Sequence, residues 1–116
     1  MLNQIKPLEE VTCFRVAEFP LPTEFPRIIK VEMPTNIKAI DVTAESDTLV
    51  ITYVTRQENL LRDEQWQMME FIIVTVPSDV GLPPFTKLEK ALKLQNGKRI
   101  MVMSRHGESV KNPNIQ

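Results

Sequence analysis

The chain has 116 residues, 42% of them hydrophobic and 25% charged, with a formal net charge of -1. That length suits one domain, and that balance suits a globular fold rather than a disordered one. A single cysteine, a single histidine and three glycines exclude an internal disulfide, a structural zinc site and both Gly-rich phosphate-binding fingerprints.

The charge is unevenly spread. Residues 1–86 carry 7 basic and 13 acidic side chains, a net -6, while residues 87–116 carry 7 basic and 2 acidic, a net +5. The basic end could meet an acidic partner, or the two ends could complement each other within the fold or between copies. No apolar stretch approaches the roughly 20 residues that span a bilayer. The first residues lack a basic region followed by an apolar core, so no signal peptide is expected. With Cys13 alone, the expected setting is a reducing cytoplasm.

Residues 1–11, with Pro7 and Glu9-Glu10, read as an N-terminal arm. Residues 12–19 alternate and predict a strand. Next come Pro20, Pro22 and Pro26 within seven residues, which excludes both a helix and a central strand. Phe19 and Phe25 on either side are expected to tuck into the edge of the core. Residues 27–33 predict a strand with Ile29, Val31 and Met33 on one face and Lys30 and Glu32 on the other. Pro34 closes it. Residues 37–43 follow as a strand with Ile40 and Val42 opposed to Asp41. Ala44-Glu45-Ser46-Asp47 suits a four-residue hairpin connection. Residues 48–55 are apolar on both faces, which predicts a strand paired directly with the central one.

Residues 56–65 are polar, and either a charged loop or a short helical turn capped by Asn59 fits them. Trp66 opens the next strand. Residues 68–76 form the longest apolar run, with Ile72, Ile73, Val74, Thr75 and Val76 all β-branched, so they predict the central strand. Pro77 ends it. Glu70 inside this run is either a carboxylate reaching solvent or a buried acid with a raised pKa.

Residues 86–95 carry two conflicting signals. Thr86 and Glu89 match a capping box, with Leu88, Ala91 and Leu92 at helical spacing. Asn96-Gly97 between apolar-alternating flanks signals a β-hairpin with a type I′ turn. The hairpin is the favoured reading, with a short helix near 86–95 as its competitor. Ile100 to Met103 form the closing strand, and residues 107–116 read as a C-terminal tail.

The chemistry is mostly a set of absences. Nucleophilic catalysis would need Cys13, or a serine activated by His106, and Cys13 sits beside Phe14 in a strand, where a buried thiol is inert. Arg105 and His106 are adjacent, so in a regular strand they point to opposite faces. The basic segment has no aromatic after Phe85, which disfavours nucleic acid. No cofactor is expected.

Met33-Pro34, then Ile40-Asp41-Val42, then Phe71-Ile72-Ile73-Val74-Thr75 give an order of elements that resembles a group of small uncharacterised bacteriophage proteins. The resemblance covers roughly residues 14–106. This chain has Thr75-Val76 where that group has Thr-Gly, and Tyr53 in place of its tryptophan. The resemblance implies an all-β fold and a viral origin, and no activity.

The expected architecture is therefore a small antiparallel β-sandwich or barrel of six to seven strands, in one domain over residues 12–106. The expected function is a non-enzymatic structural or protein-interaction module, an accessory or decoration component of a phage particle that binds itself or another protein. The alternative is a small soluble effector that binds a host protein or holds a small ligand in the mouth of the sandwich. Candidate partner contacts are Trp66, Lys87, Lys90, Lys93, Arg99, Arg105 and His106, with Tyr53 added for the ligand-binding alternative.

Overall fold

A computed structural model describes residues 12–56, 66–77, 81–84 and 86–113, of which 12–16 as backbone alone. Expectations for the N-terminal arm, the 56–65 connection, the Cys13 thiol and the last three residues lie outside what is described. Eight strands follow one another: β1 (Thr12–Pro20), β2 (Arg27–Pro34), β3 (Ile37–Glu45), β4 (Thr48–Arg56), β5 (Trp66–Thr75), β6 (Lys87–Lys93), β7 (Arg99–Arg105) and β8 (Ser109–Val110). No helix occurs among the described residues.

The strands form two antiparallel sheets. Sheet A has the order β1-β4-β3; sheet B has the order β2-β5-β7-β6, with β8 added to β5. They pack as an open sandwich, not a barrel. The core lies between them, built from Leu49, Ile51 and Tyr53 of β4, Val42 of β3, Met33 of β2, Met69, Phe71 and Ile73 of β5, and Ile100 and Val102 of β7. Each such side chain contributes about 1.5–3 kcal/mol by leaving water. Phe19 and Phe25 pack against the edge of this cluster, as the proline-rich segment predicted. That segment is tied down where the Leu21 N–H donates to the Asp47 carbonyl at 2.6 Å.

β5 is the organising strand. It pairs with β2 along one side and with β7 and then β8 along the other. Its near-continuous apolar run reflects cover on both faces: Ile72 and Val74 are each 3% exposed although they point away from the core.

Two expectations are corrected, and one ambiguity is resolved as the favoured hairpin. β4 is not a neighbour of β5; it pairs with β1 and β3, and faces β5 across the core. An apolar pattern reports how deeply a strand is buried, not which strand lies beside it. The 86–95 segment is β6, not a helix, because its hydrogen bonds go to β7 from Lys87–Ser104 to Lys93–Arg99. A bulge between Leu88 and Lys90 shifts the strand by one residue there, which is how helical and strand spacing came to overlap. The turn at Asn96-Gly97 is not type I′: only Gly97 has positive φ, at 87°. The Gly97 N–H donates to the Leu94 carbonyl at 2.9 Å and the Leu94 N–H to the Lys98 carbonyl at 2.8 Å. That is a type I turn closed by a left-handed glycine.

The β3–β4 connection is shorter than predicted. Ala44 and Glu45 belong to β3, and Ser46-Asp47 alone make the turn, with Ser46 at φ 52°. At the other end of the chain, residues beyond 107 are held by the sheet: β8 pairs with Trp66 and Gln67, and Asn112 is 1% exposed.

Candidate interaction face on sheet B

Directly opposed residues of antiparallel strands share a face, so register decides what the outside of sheet B presents. Ile28 of β2 opposes Ile72 of β5, Ile72 opposes Met103 of β7, and Met103 opposes Leu88 of β6. One apolar row thus crosses all four strands. A second row, Val74–Met101–Ala91, lies beside it. Ile28 is 52% exposed and Leu88 53%, which marks the two ends of the first row as uncovered. Between those ends Ile72 is buried, so the row is accessible at Ile28 and Leu88 and covered at its centre; exposed apolar side chains at the two ends of one row signal a contact surface.

Charged rows frame the patch. At one end Lys93 opposes Arg99. Both are exposed, and neither has an ion pair among the described residues. At the other end Glu70 lies between Lys30 and Arg105 in register. Arg105 Nε donates to Glu70 Oε1 at 3.0 Å. Glu70 is therefore a paired carboxylate on the outer face rather than a free solvent-reaching group or an isolated buried acid.

Beyond Arg105 the strand bulges. Three residues, His106, Gly107 and Glu108, oppose Met68 and Met69, because Arg105 pairs with Glu70 and Ser109 with Gln67. The Met68 N–H donates to the Glu108 carbonyl at 2.8 Å. This bend turns His106 back onto the sheet, where its Nδ1 lies 2.6 Å from Gln67 Oε1. Arg105 and His106 remain on separate partners, so the two do not converge into one site.

The remaining candidates are dispersed. Trp66 is 3% exposed, with Pro34 and Val110 as its register neighbours, and offers no stacking surface. Tyr53 is 5% exposed and belongs to the core. Lys87 Nζ lies 3.6 Å from Glu89 Oε2, and Glu89 also accepts a hydrogen bond from the buried Ser104 hydroxyl. Lys90 Nζ reaches Asp41 Oδ1 at 3.0 Å, joining the β6 edge of sheet B to the β3 edge of sheet A. Among the described residues, only Lys93 and Arg99 of the seven adjoin the apolar rows without an ion pair. Sequence reasoning missed Ile28 and Leu88. Their signal was weak: Ile28 is out of phase with Ile29, Val31 and Met33, and Leu88 fitted a helix.

The Lys90 ammonium, and after it the Val42 N–H, hold the Asp41 carboxyl below its ordinary value. A depressed folded-state pKa means stability that is present above the unfolded value of about 3.9 and lost as pH falls through the lower folded value. Asp41→Asn should therefore melt below wild type at neutral pH, by a margin that closes in strong acid and narrows with salt. Melting curves of the two proteins across that range check this; a margin independent of pH would remove the ion pair as its cause.

Two half-open grooves flank the proline-rich segment. One, of about 500 Å3, runs between residues 19–24 and residues 27–30 of β2. The other, of about 400 Å3, is bordered by Phe25, Asp47, Leu94 and Lys98 among others. Lys98 Nζ sits 5.2 Å from the centre of the Phe25 ring there. Among the described residues no group of three or more His, Cys, Asp or Glu is placed to hold a metal ion. No helix among them is long and apolar enough to cross a membrane. Comparison of the chain with protein-family models, with curated proteins and with solved structures gives no match.

Proposed function

We propose that the chain is a non-enzymatic protein-interaction module that docks a protein partner on the outer face of sheet B. The observation that carries this reading is the row Ile28–Ile72–Met103–Leu88, half-exposed at both ends. The exposed Ile28 and Leu88 side chains supply the driving force, and Lys93 and Arg99 at the rim, without an ion pair among the described residues, favour a partner with acidic groups beside apolar ones. The resemblance to small bacteriophage proteins suggests the setting: an accessory or decoration component of a phage particle.

The test is capture of partners from the native source by wild type and by an Ile28→Asp/Leu88→Asp double variant. Both positions are surface-exposed, so the variant should keep its circular dichroism spectrum and stay within about 1 kcal/mol of wild-type stability. Loss of at least about tenfold in captured partner is expected, since two charges would be desolvated in the interface. Undiminished capture by a folded double variant would overturn the assignment of this face.

A second reading rests on the 500 Å3 groove, whose apolar wall of Phe19, Leu21 and Ile28 meets Glu24, Arg27 and Lys30. It supports the effector alternative, a small ligand held beside the proline-rich segment. Thermal-shift screening separates the two, because a ligand of the groove raises the melting temperature and a protein partner of the outer face does not appear in such a screen.

A further inference from the structure

Each sheet has two edges, and they are not equivalent. The β3 and β6 edges are joined by the Lys90–Asp41 ion pair. β1 and β2 each pair with one strand only, so among the described residues their far edges carry no strand. An open edge is a row of unpaired N–H and C=O groups that can template another strand. β2 offers eight residues, with no glycine and with proline only at its last position.

We infer that β2 pairs antiparallel with β2 of a second copy of this chain, in the register that places Val31 on the two-fold axis. Charge selects this register. Lys30 and Glu32 are both exposed and both on the outer face, opposite Glu70 and Met68 of β5. With Val31 at the axis, Lys30 of each copy lies opposite Glu32 of the other, twice over. Shifting the axis to Lys30 opposes two lysines, and shifting it to Glu32 opposes two glutamates; like charges directly across are destabilising. On the inner face the same register sets Ile29 opposite Met33 and Val31 opposite Val31. Ile29 and Val31 are only half-buried in one copy. Self-pairing would therefore extend the core row across the axis.

The groove beside residues 27–30 supplies room for this. In the chosen register the partner strand runs on past its Glu32 alongside Ile29 and Ile28, which line that groove. β1 does not offer the same complementarity. Its charges, Arg15 and Glu18, are three residues apart, and residues directly opposed in a self-paired antiparallel strand must differ by an even number.

The assembly is a sheet running β6-β7-β5-β2 in one copy and back through β2 to β6 in the next, with both apolar outer rows on one continuous surface. A single strand-to-strand contact is a small interface, so association should be micromolar. The inference goes beyond the docking of another protein and needs none for its test.

Sedimentation velocity of the purified full chain, over a concentration series from about 1 µM to 1 mM, reads the result directly. Wild type should be a reversible dimer. Glu32→Lys places lysines opposite lysines and should raise the dimer Kd about thirtyfold. Met68 is its β5 neighbour, so the change sets no like charge directly opposite within the chain. Lys30→Glu should do the same, although it sets a glutamate beside Glu70. Mixing the two variants in equal amounts should restore dimer, since each then presents the charge that the other lacks. A folding defect in either variant cannot produce that rescue. A wild type that stays monomeric throughout, or a Glu32→Lys variant that dimerises as wild type does, would overturn the inference.

Discussion

Gly107→Ala is expected to lower the stability of the folded chain by about 3 kcal/mol, and to loosen β8 before the rest of sheet B. Gly107 is the middle residue of the bulge that carries the chain from β7 into β8. A Cβ atom there would stand 1.8 Å from the Met68 carbonyl oxygen and 3.0 Å from its carbon. Both are backbone atoms of the central strand, so nothing flexible can move aside. Either β5 shifts, at the cost of its ladder, or the bulge opens and loses the Met68–Glu108 hydrogen bond. Urea denaturation measures the total. Amide exchange at Met68, compared with Ile73, shows whether the loss is local. Gly81→Ala is the matched control: a Cβ there meets nothing within 4 Å, and its stability should change by less than about 0.5 kcal/mol. Equal effects of the two alanines would contradict the close approach at Gly107.

Phe71→Ala should have the largest effect of any single truncation in the core, about 4 kcal/mol. Phe71 is fully buried at the centre of β5. Its register neighbours are Ile29 on β2 and Ser104 on β7, and it belongs to the same cluster as Tyr53 and Ile51 of sheet A. Removing the ring leaves a void that two sheets, each fixed by its own ladder, cannot close. Against a total stability of about 5–15 kcal/mol, that brings the variant close to unfolding. Chemical denaturation gives the value. A loss below about 1.5 kcal/mol would mean that the sandwich repacks around the gap and that the two sheets are less firmly set than their register implies.

Much of this fold was legible in the sequence, for a physical reason that also sets the limit. Side chains alternate along a strand, so Ile29, Val31 and Met33 declared their face, as did Ile40 and Val42 against Asp41. Proline lacks an N–H, so Pro34 and Pro77 marked strand ends. Partnership is another matter. Leu49, Ile51 and Tyr53 reported burial, but the same burial follows from lying beside β5 or across the core from it, and the second is what occurs. The 86–95 segment was ambiguous because a bulge at Glu89 breaks the alternation that would have declared a strand.

The candidate face was legible least of all. Ile28, Ile72, Met103 and Leu88 are spread over 76 positions of the chain and become neighbours only through three strand registers. No local pattern encodes that row. The seven charged and aromatic candidates were chosen by residue type, and residue type does not distinguish Arg105, committed to Glu70, from Arg99, which has no such partner among the described residues.

The division of strands between the sheets has a consequence for synthesis on the ribosome. β1, β3 and β4 all lie before residue 57, so sheet A can zip up while β5 to β8 are still unmade. β2 emerges among them yet must wait for β5, and β5 waits in turn for β7 and β8, whose last residue is Val110. Through that interval the inward surface of sheet A, with Leu49, Ile51 and Tyr53, lacks the β5 and β7 side chains it packs against. The nascent molecule is thus most adhesive between the synthesis of β4 and that of β8, and the codons for β7 and β8 are the ones that seal it.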